Sequence, residues 1–258
     1  MRKIYLVVAV IAVFLCIGCN DGGVESGGGD AVAYLTKFRS SAGAPPLNDE
    51  RDGNVYRTVI IGNQTWMAEN LNYNTADGNG SWCYGQDGLV SGFDGGLTLS
   101  EKEVQGRCKK FGRLYDWETA NSVCPAKWKL PSEDDWTQLM STVGGSQDIV
   151  SKKLRSSSGW EHILGANGSG NGTDDFGFSA LPGGVWWGQS EYDGEELYYS
   201  DEGVLGVWWT TATGNYDNSL NLYGGYFAIF TDNRAWLSVV TLVDYSARHS
   251  VRCVKEEI

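Results

Sequence analysis

Cys124-Pro-Ala-Lys-Trp-Lys-Leu-Pro-Ser-Glu-Asp-Asp-Trp136 and, far along the chain, Ser250-Val-Arg-Cys-Val254 decide the fold. In the first stretch Pro131 blocks an earlier helix start and Ser132 is placed to cap a helix. Asp135, three residues on, completes a short variant of the capping box. Glu133, Asp134 and Asp135 set negative charge on the positive end of the helix dipole. Trp136, Leu139, Met140 and Val143 follow the i, i+3, i+4, i+7 pattern of a buried face, and Gly144-Gly145 stops the helix. Ile149 to Leu154 adds one or two turns. The second stretch reads as the last strand. A bond between Cys124 and Cys253 would staple the two ends of one domain.

Outward from there, Asn54 to Met67 reads as a hairpin that turns at Gly62-Asn63-Gln64. Glu101 to Ser122 reads as helical with a break near Gly112, and Tyr115, Trp117, Ala120 and Val123 fall on one side. After Gly159 the chain changes to short β-like runs: 176–180, 184–187, 206–211, 225–230, 236–241 and 250–254. Thr231-Asp-Asn-Arg234 carries hairpin-turn residues. Helices early and strands late predict an α+β fold, not alternating βαβ units.

The start of the chain gives an address. Arg2 and Lys3 precede an apolar run from Ile4 to Ile17, too short for a membrane span and suited to a secretory signal. It ends in Cys16-Ile-Gly-Cys19, which looks like a bacterial lipobox with Cys16 in place of the usual Leu; a plain secretory signal is the alternative. On this reading residues 1–18 are the signal peptide. Acylated Cys19 anchors the mature protein in a lipid bilayer, with the outer membrane of the bacterial envelope as the expected site. Residues 19–48, Gly-rich at first, are a tether. Residues 49–258 are one domain.

Composition narrows the class. The chain is 12% aromatic, with 11 Trp and 35 Gly, which suits short strands and long loops. Its formal net charge is -12. An acidic chain without basic clusters excludes nucleic acid as a partner on electrostatic grounds. Cys83, Cys108, Cys124 and Cys253 remain for the domain. Four cysteines allow three pairings, and spacing alone does not choose; the expected set is Cys83–Cys108 and Cys124–Cys253. A zinc site is disfavoured, because no Cys-x-x-Cys occurs and the only histidines are His162 and His249.

Several segments together resemble a known family. They are Thr58-Val-Ile-Ile-Gly-Asn-Gln-Thr-Trp-Met-Ala-Glu-Asn-Leu-Asn-Tyr73, Gly112-Arg-Leu-Tyr-Asp-Trp117, Cys124 to Ser132, Gly177-Phe-Ser-Ala-Leu-Pro-Gly-Gly184, Trp208-Trp-Thr-Thr211 and Ser250 to Val254. In this order they are similar to the Fibrobacter succinogenes major paralogous domain. Lys127 stands where that family usually has Gly, and Lys129 where it usually has His. The resemblance implies a C-type-lectin-like fold: two helices flanking a small, mostly antiparallel sheet, with a long loop excursion. It also implies an exported, often lipid-anchored protein, and it brings no established reaction. Trp208 and Trp209, as part of the shared framework, are expected in the core.

Candidate binding residues crowd the second half. Exposed rings stack on the apolar faces of sugars, and Asn or Asp bonds hydroxyls. Trp186, Trp187, Tyr192 and Tyr198 sit among acidic residues. Tyr216, Asn218 and Asn221 lie in a stretch whose Asn, Tyr, Gly and Ser content suits an adaptable recognition surface. Trp236 follows. Core packing is the competing role for every one of these rings. The acidic loop Glu191 to Glu202 could supply oxygen ligands to calcium, but no EF-hand spacing occurs and the paired sugar-and-calcium motifs of C-type lectins are missing. No cofactor is therefore expected.

No nucleophile elbow or His-Glu-x-x-His motif occurs. Leu130-Pro-Ser-Glu-Asp-Asp-Trp136 echoes formylglycine-generating enzymes, an echo that helix capping explains. The function expected is a cell-envelope lipoprotein with a non-catalytic binding domain, its ligand a carbohydrate or a surface protein. The binding face is expected on the loops from Gly183 to Asn233. An enzyme (oxidase-like or hydrolytic) and a structural envelope protein are the alternatives.

Overall fold

Ser132 caps its helix as the sequence requires. Its Oγ accepts the Asp135 N–H at 3.1 Å, and Asp135 Oδ2 accepts the Ser132 N–H at 2.8 Å. The computed structural model describes residues 44–75, 79–90, 96–161, 170–186, 199–213, 223–231, 235–243 and 247–256. Among them are four helices: α1 (Glu101–Phe111), α2 (Trp117–Ala120), α3 (Glu133–Val143) and α4 (Gln147–Leu154). The break near Gly112 is real, but past it Leu114–Tyr115 forms a strand where helix was expected, and only Trp117–Ala120 returns to helix. Gly112 ends α1 at φ 79°, and a Cβ there would lie 2.7 Å from the Leu71 carbonyl oxygen.

The strands, in chain order, are β1 (Leu47–Asn48), β2 (Val55–Tyr56), β3 (Thr58–Ile61), β4 (Gln64–Met67), β5 (Ser81–Trp82), β6 (Leu114–Tyr115) and β7 (Trp128–Lys129). They continue as β8 (Gly183–Trp186), β9 (Tyr199–Glu202), β10 (Gly206–Thr213), β11 (Tyr223–Phe230), β12 (Ala235–Val243), β13 (His249–Ser250) and β14 (Val254–Lys255). One sheet runs β12-β11-β10-β13-β6-β5 and another β3-β4-β14-β7, with small pairs β1-β2 and β8-β9. Among the described residues every strand pair is antiparallel except β10 with β13, which is parallel. The protein is thus α+β, with several small, mostly antiparallel sheets where a single one was expected.

Two further expectations need correction. Residues 176–180 form no strand; they turn and touch Arg155 through one parallel bridge at Ala180. Ser250 to Val254 is not one strand either. Its start, in β13, belongs to the six-stranded sheet and its end, in β14, to the four-stranded one. Between them Val251 and Cys253 present their carbonyls to the N–H groups of Leu71 and Met67. Residues 232–234 lie outside the described residues, but the strands they join pair antiparallel, Phe230 opposite Ala235.

The switch between sheets puts β4 and β10 between two cores. Successive strand residues point to opposite faces. Trp66 and Trp208 enter one core; their neighbours Met67 and Trp209 enter the other, and all four are at most 1% exposed. The first core gathers around Trp136 of α3, whose ring lies 4.8 Å from Trp66 and 6.0 Å from both Phe178 and Trp208. Each buried aromatic removes a large apolar area from water, and the tilted ring pairs add about 0.5–1.5 kcal/mol apiece.

The disulfides are Cys83–Cys108 and Cys124–Cys253, closing loops of 25 and 129 residues. The expected pairing is the one formed. Chain entropy makes the longer closure worth about 5 kcal/mol and the shorter about 3.5 kcal/mol. Replacing Cys124 and Cys253 together by Ser should therefore lower the denaturant midpoint more than the same change at Cys83 and Cys108. Chemical denaturation of the two double variants checks the order.

Lys127 has φ 68°, a left-handed conformation that costs an L-residue about 1–2 kcal/mol. Its carbonyl still accepts the Glu256 N–H at 3.0 Å, so the backbone is held there. Glycine relieves the strain but adds freedom to the unfolded chain. Lys127→Gly should stabilise by about 0.5–1 kcal/mol, read as a higher midpoint at unchanged slope.

Candidate functional site

The Arg252 side chain is 0% exposed and makes no ion pair among the described residues. Oxygens take the place of a carboxylate. Nε and Nη2 donate to Asn70 Oδ1 at 3.0 and 2.7 Å, Nη1 donates to the Phe178 carbonyl, and Nη2 also reaches the Ser179 carbonyl at 3.2 Å. Asn70 Oδ1 accepts from Trp208 Nε1 as well, at 2.9 Å, and Asn70 Nδ2 donates to the Phe111 carbonyl at 2.8 Å. The Phe178 ring lies 4.6 Å from the guanidinium. Burial pushes the Arg252 pKa down to about 9, which leaves the group charged at neutral pH.

A cavity of about 300 Å³ opens beside this hub. Asn70, Gly112 and Ser179 line its inner side, and Asn54 to Arg57, Glu69, Asn72 and the C-terminal turn of α1 line the rest. Ser179 stands at φ 52°, held there by Asp174, whose two carboxylate oxygens accept its N–H and its hydroxyl at 2.7 and 2.5 Å. The Tyr56 hydroxyl accepts the Asn72 N–H at 3.0 Å, and burial pushes its pKa up to about 12. Arg57 pairs with Glu69 at 3.4 Å in an exposed position. Val55 is 61% exposed at the rim. Asn72 Oδ1 is buried and accepts no hydrogen bond among the described residues.

A larger cleft of about 550 Å³ lies between Pro45–Arg51 and Pro125–Trp128. There Asp49 and Arg51 bind one another at 2.7 Å, and none of the lining residues leaves a buried polar atom unpartnered. The smaller cavity is the better candidate.

A second polar cluster surrounds Trp186, which is 9% exposed. Trp186 and Arg248 exchange backbone hydrogen bonds at 3.1 and 2.7 Å. The Arg248 guanidinium lies 3.7 Å from the centre of the Trp82 ring and 5.0 Å from that of Trp186. Its Nη1 donates to Asp87 at 2.7 Å and to the Tyr199 hydroxyl at 2.6 Å. Burial raises the Asp87 pKa, but hydrogen bonds from Arg248 and Tyr199 outweigh it and hold the carboxyl below its ordinary value. The Trp82 ring is thus the nearer platform for Arg248, and Trp186 flanks it.

Of the other residues singled out from the sequence, Trp187, Tyr192, Tyr198, Tyr216, Asn218 and Asn221 lie outside the described residues, as does Cys19. Trp236 is in β12, with its backbone opposite Ile229. Trp208 and Trp209 are buried, as expected of framework residues. At the end of the acidic loop Glu202 pairs with Arg107 at 2.7 Å. Among the described residues no group of three His, Cys, Asp or Glu could hold a metal ion, and no helix is long and apolar enough to cross a membrane.

Sequence reasoning missed the cavity. Its lining comes from four separate segments, and Asn70, Asn72 and Ser179 read only as parts of a family pattern. The one available signal was the density of amides in Glu69-Asn-Leu-Asn72.

Hub and cavity together draw on the segments that carry the family pattern, and a direct comparison agrees. The chain matches the Fibrobacter succinogenes major domain over residues 59–255 and belongs to that family. No curated protein and no solved structure matches it.

One buried titratable group in the framework sets a pH dependence. His249 in β13 is 0% exposed, its ring 4.4 Å from that of Trp209, and burial pushes its pKa down to about 3. The unfolded chain takes up a proton near pH 6.5 and the folded chain does not, so stability is lost as pH falls below that value. Asp87 and Asp135, with lowered pKa values, lose their contribution only below the ordinary carboxylate range. Unfolding free energy should drop by about 2 kcal/mol between pH 7 and pH 5. Denaturant titrations at both pH values should find the drop, and His249→Phe should remove most of it.

Proposed function

We propose that the protein is a lipid-anchored component of the bacterial cell envelope, tethered through acylated Cys19, whose C-type-lectin-like domain binds carbohydrate without transforming it. The observation that carries this reading is the cavity beside Asn70. Its volume, about 300 Å³, falls at the small end of ligand sites, which span roughly 300–1,000 Å³. Its lining mixes amides, a tyrosine hydroxyl and an arginine–glutamate pair with the exposed side chain of Val55. A sugar ring presents the same mixture, with hydroxyls around its edge and C–H groups on its faces. Asn70 and Ser179 are held in place by the buried hub behind them, so little ordering of that inner side is needed on binding.

The oxidase-like alternative needs a reduced cysteine. Cys83, Cys108, Cys124 and Cys253 are all bonded. The disulfides thus weigh against the oxidase-like alternative.

The purified domain, screened on plant and bacterial glycans, should retain at least one class. Arg57→Ala with Glu69→Ala should weaken that binding about tenfold or more by calorimetry, since two polar contacts to the ligand are lost. Uniformly negative screens across both glycan sets would count against carbohydrate as the ligand.

A further inference from the structure

We infer that the sugar held in this cavity carries a carboxylate, so that the ligand is a hexuronate-containing acidic polysaccharide. The inference rests on the carbohydrate reading and sharpens it. Its first support is a local reversal of charge. The chain as a whole carries 32 acidic against 20 basic residues. Around the cavity the balance inverts, with Arg57, Lys109 and Lys110 facing the single carboxylate of Glu69. Arg57 and Glu69 neutralise one another. Lys109 and Lys110 are exposed, and neither is in an ion pair among the described residues. The Lys110 ammonium lies 4.5 Å from the centre of the Phe111 ring, beside the opening.

Lysines in the last turn of a helix also suit its negative end. That role explains their presence on α1, and it leaves their charge free for a ligand. The second support is the rest of the lining, in which Asn54 and the exposed Arg57–Glu69 pair stand beside the lysines and suit hydroxyl groups. A ligand that answers both brings negative charge to the lysines and hydroxyls to those polar groups. A uronate ring carries both on one small scaffold. A neutral sugar offers only the hydroxyls, and a simple inorganic anion only the charge.

The test compares trigalacturonate with neutral galactotriose by calorimetry on the intact domain, at low salt and at about 150 mM salt. The wild type should bind the charged sugar about tenfold more tightly, with the advantage shrinking as salt screens the exposed lysines. Lys109→Gln with Lys110→Gln should abolish that preference, so that the charged sugar binds no more tightly than galactotriose. Equal affinity for the two sugars overturns the inference and leaves carbohydrate binding standing. A preference that survives the double lysine change places the charge recognition elsewhere and also overturns it. Failure of both sugars, together with empty glycan screens, removes the inference and the carbohydrate reading alike.

Discussion

A fully buried guanidinium, charged at neutral pH, sits where the two cores meet, and among the described residues oxygen atoms and no carboxylate receive its protons. Arg252 cannot move without leaving the Asn70 oxygen and the carbonyls of Phe178 and Ser179 short of donors. Truncating a partner of such a buried charged group costs several kcal/mol, because the remaining charge stays dry and unmatched. The hub therefore holds three distant parts of the chain in one register. Asn70 fixes the end of the β3–β4 segment, Phe178 and Ser179 fix a turn with no strand of its own, and Trp208 ties in the longest sheet. The strand that carries Arg252 is split around it, so the same few residues close both sheets.

This arrangement accounts for features that otherwise look unrelated. Two adjacent tryptophans on β10 are both buried because the sheet is covered on each face. Gly112 is required where α1 ends against the Leu71 carbonyl. The candidate site is the outer side of the same construction, since Asn70 and Ser179 face both the guanidinium and the cavity. Recognition chemistry and framework thus share residues. Changes at Asn70 or Ser179 would confuse stability with binding, whereas Arg57, Lys109 and Lys110 stand clear of the hub.

What was legible in the sequence was local. Helix α3 could be placed to the residue because Pro131, Ser132, Asp135 and the glycine pair mark its ends within a dozen positions. The β3–β4 hairpin and the later strands were readable from alternation and turn residues. The hub was not, because Asn70 and Arg252 are 182 residues apart and neither residue type advertises burial. The split of the final segment was hidden as well: Ser250 to Val254 has the composition of one strand, but its middle carbonyls, of Val251 and Cys253, go to Leu71 and Met67. The run at 176–180 has strand-like residues but is held as a turn by Asp174, a side-chain contact that periodicity does not reveal. Aromatic abundance points to the loops around Trp186, whose ring flanks Arg248, while the cavity draws its polarity from unremarkable asparagines.

The spacing of the two disulfides has a consequence for biogenesis. A nascent chain emerges amino end first and begins to fold before it is complete. Cys83 meets its partner after 25 residues, but Cys124 must wait for 129 more before its own appears. Throughout that interval it is a reactive sulfur beside an already oxidisable pair, open to mispairing with either member. An oxidant acting on the incomplete chain can therefore trap Cys124 with Cys83 or Cys108, and the native pairs are then reached only by thiol–disulfide exchange.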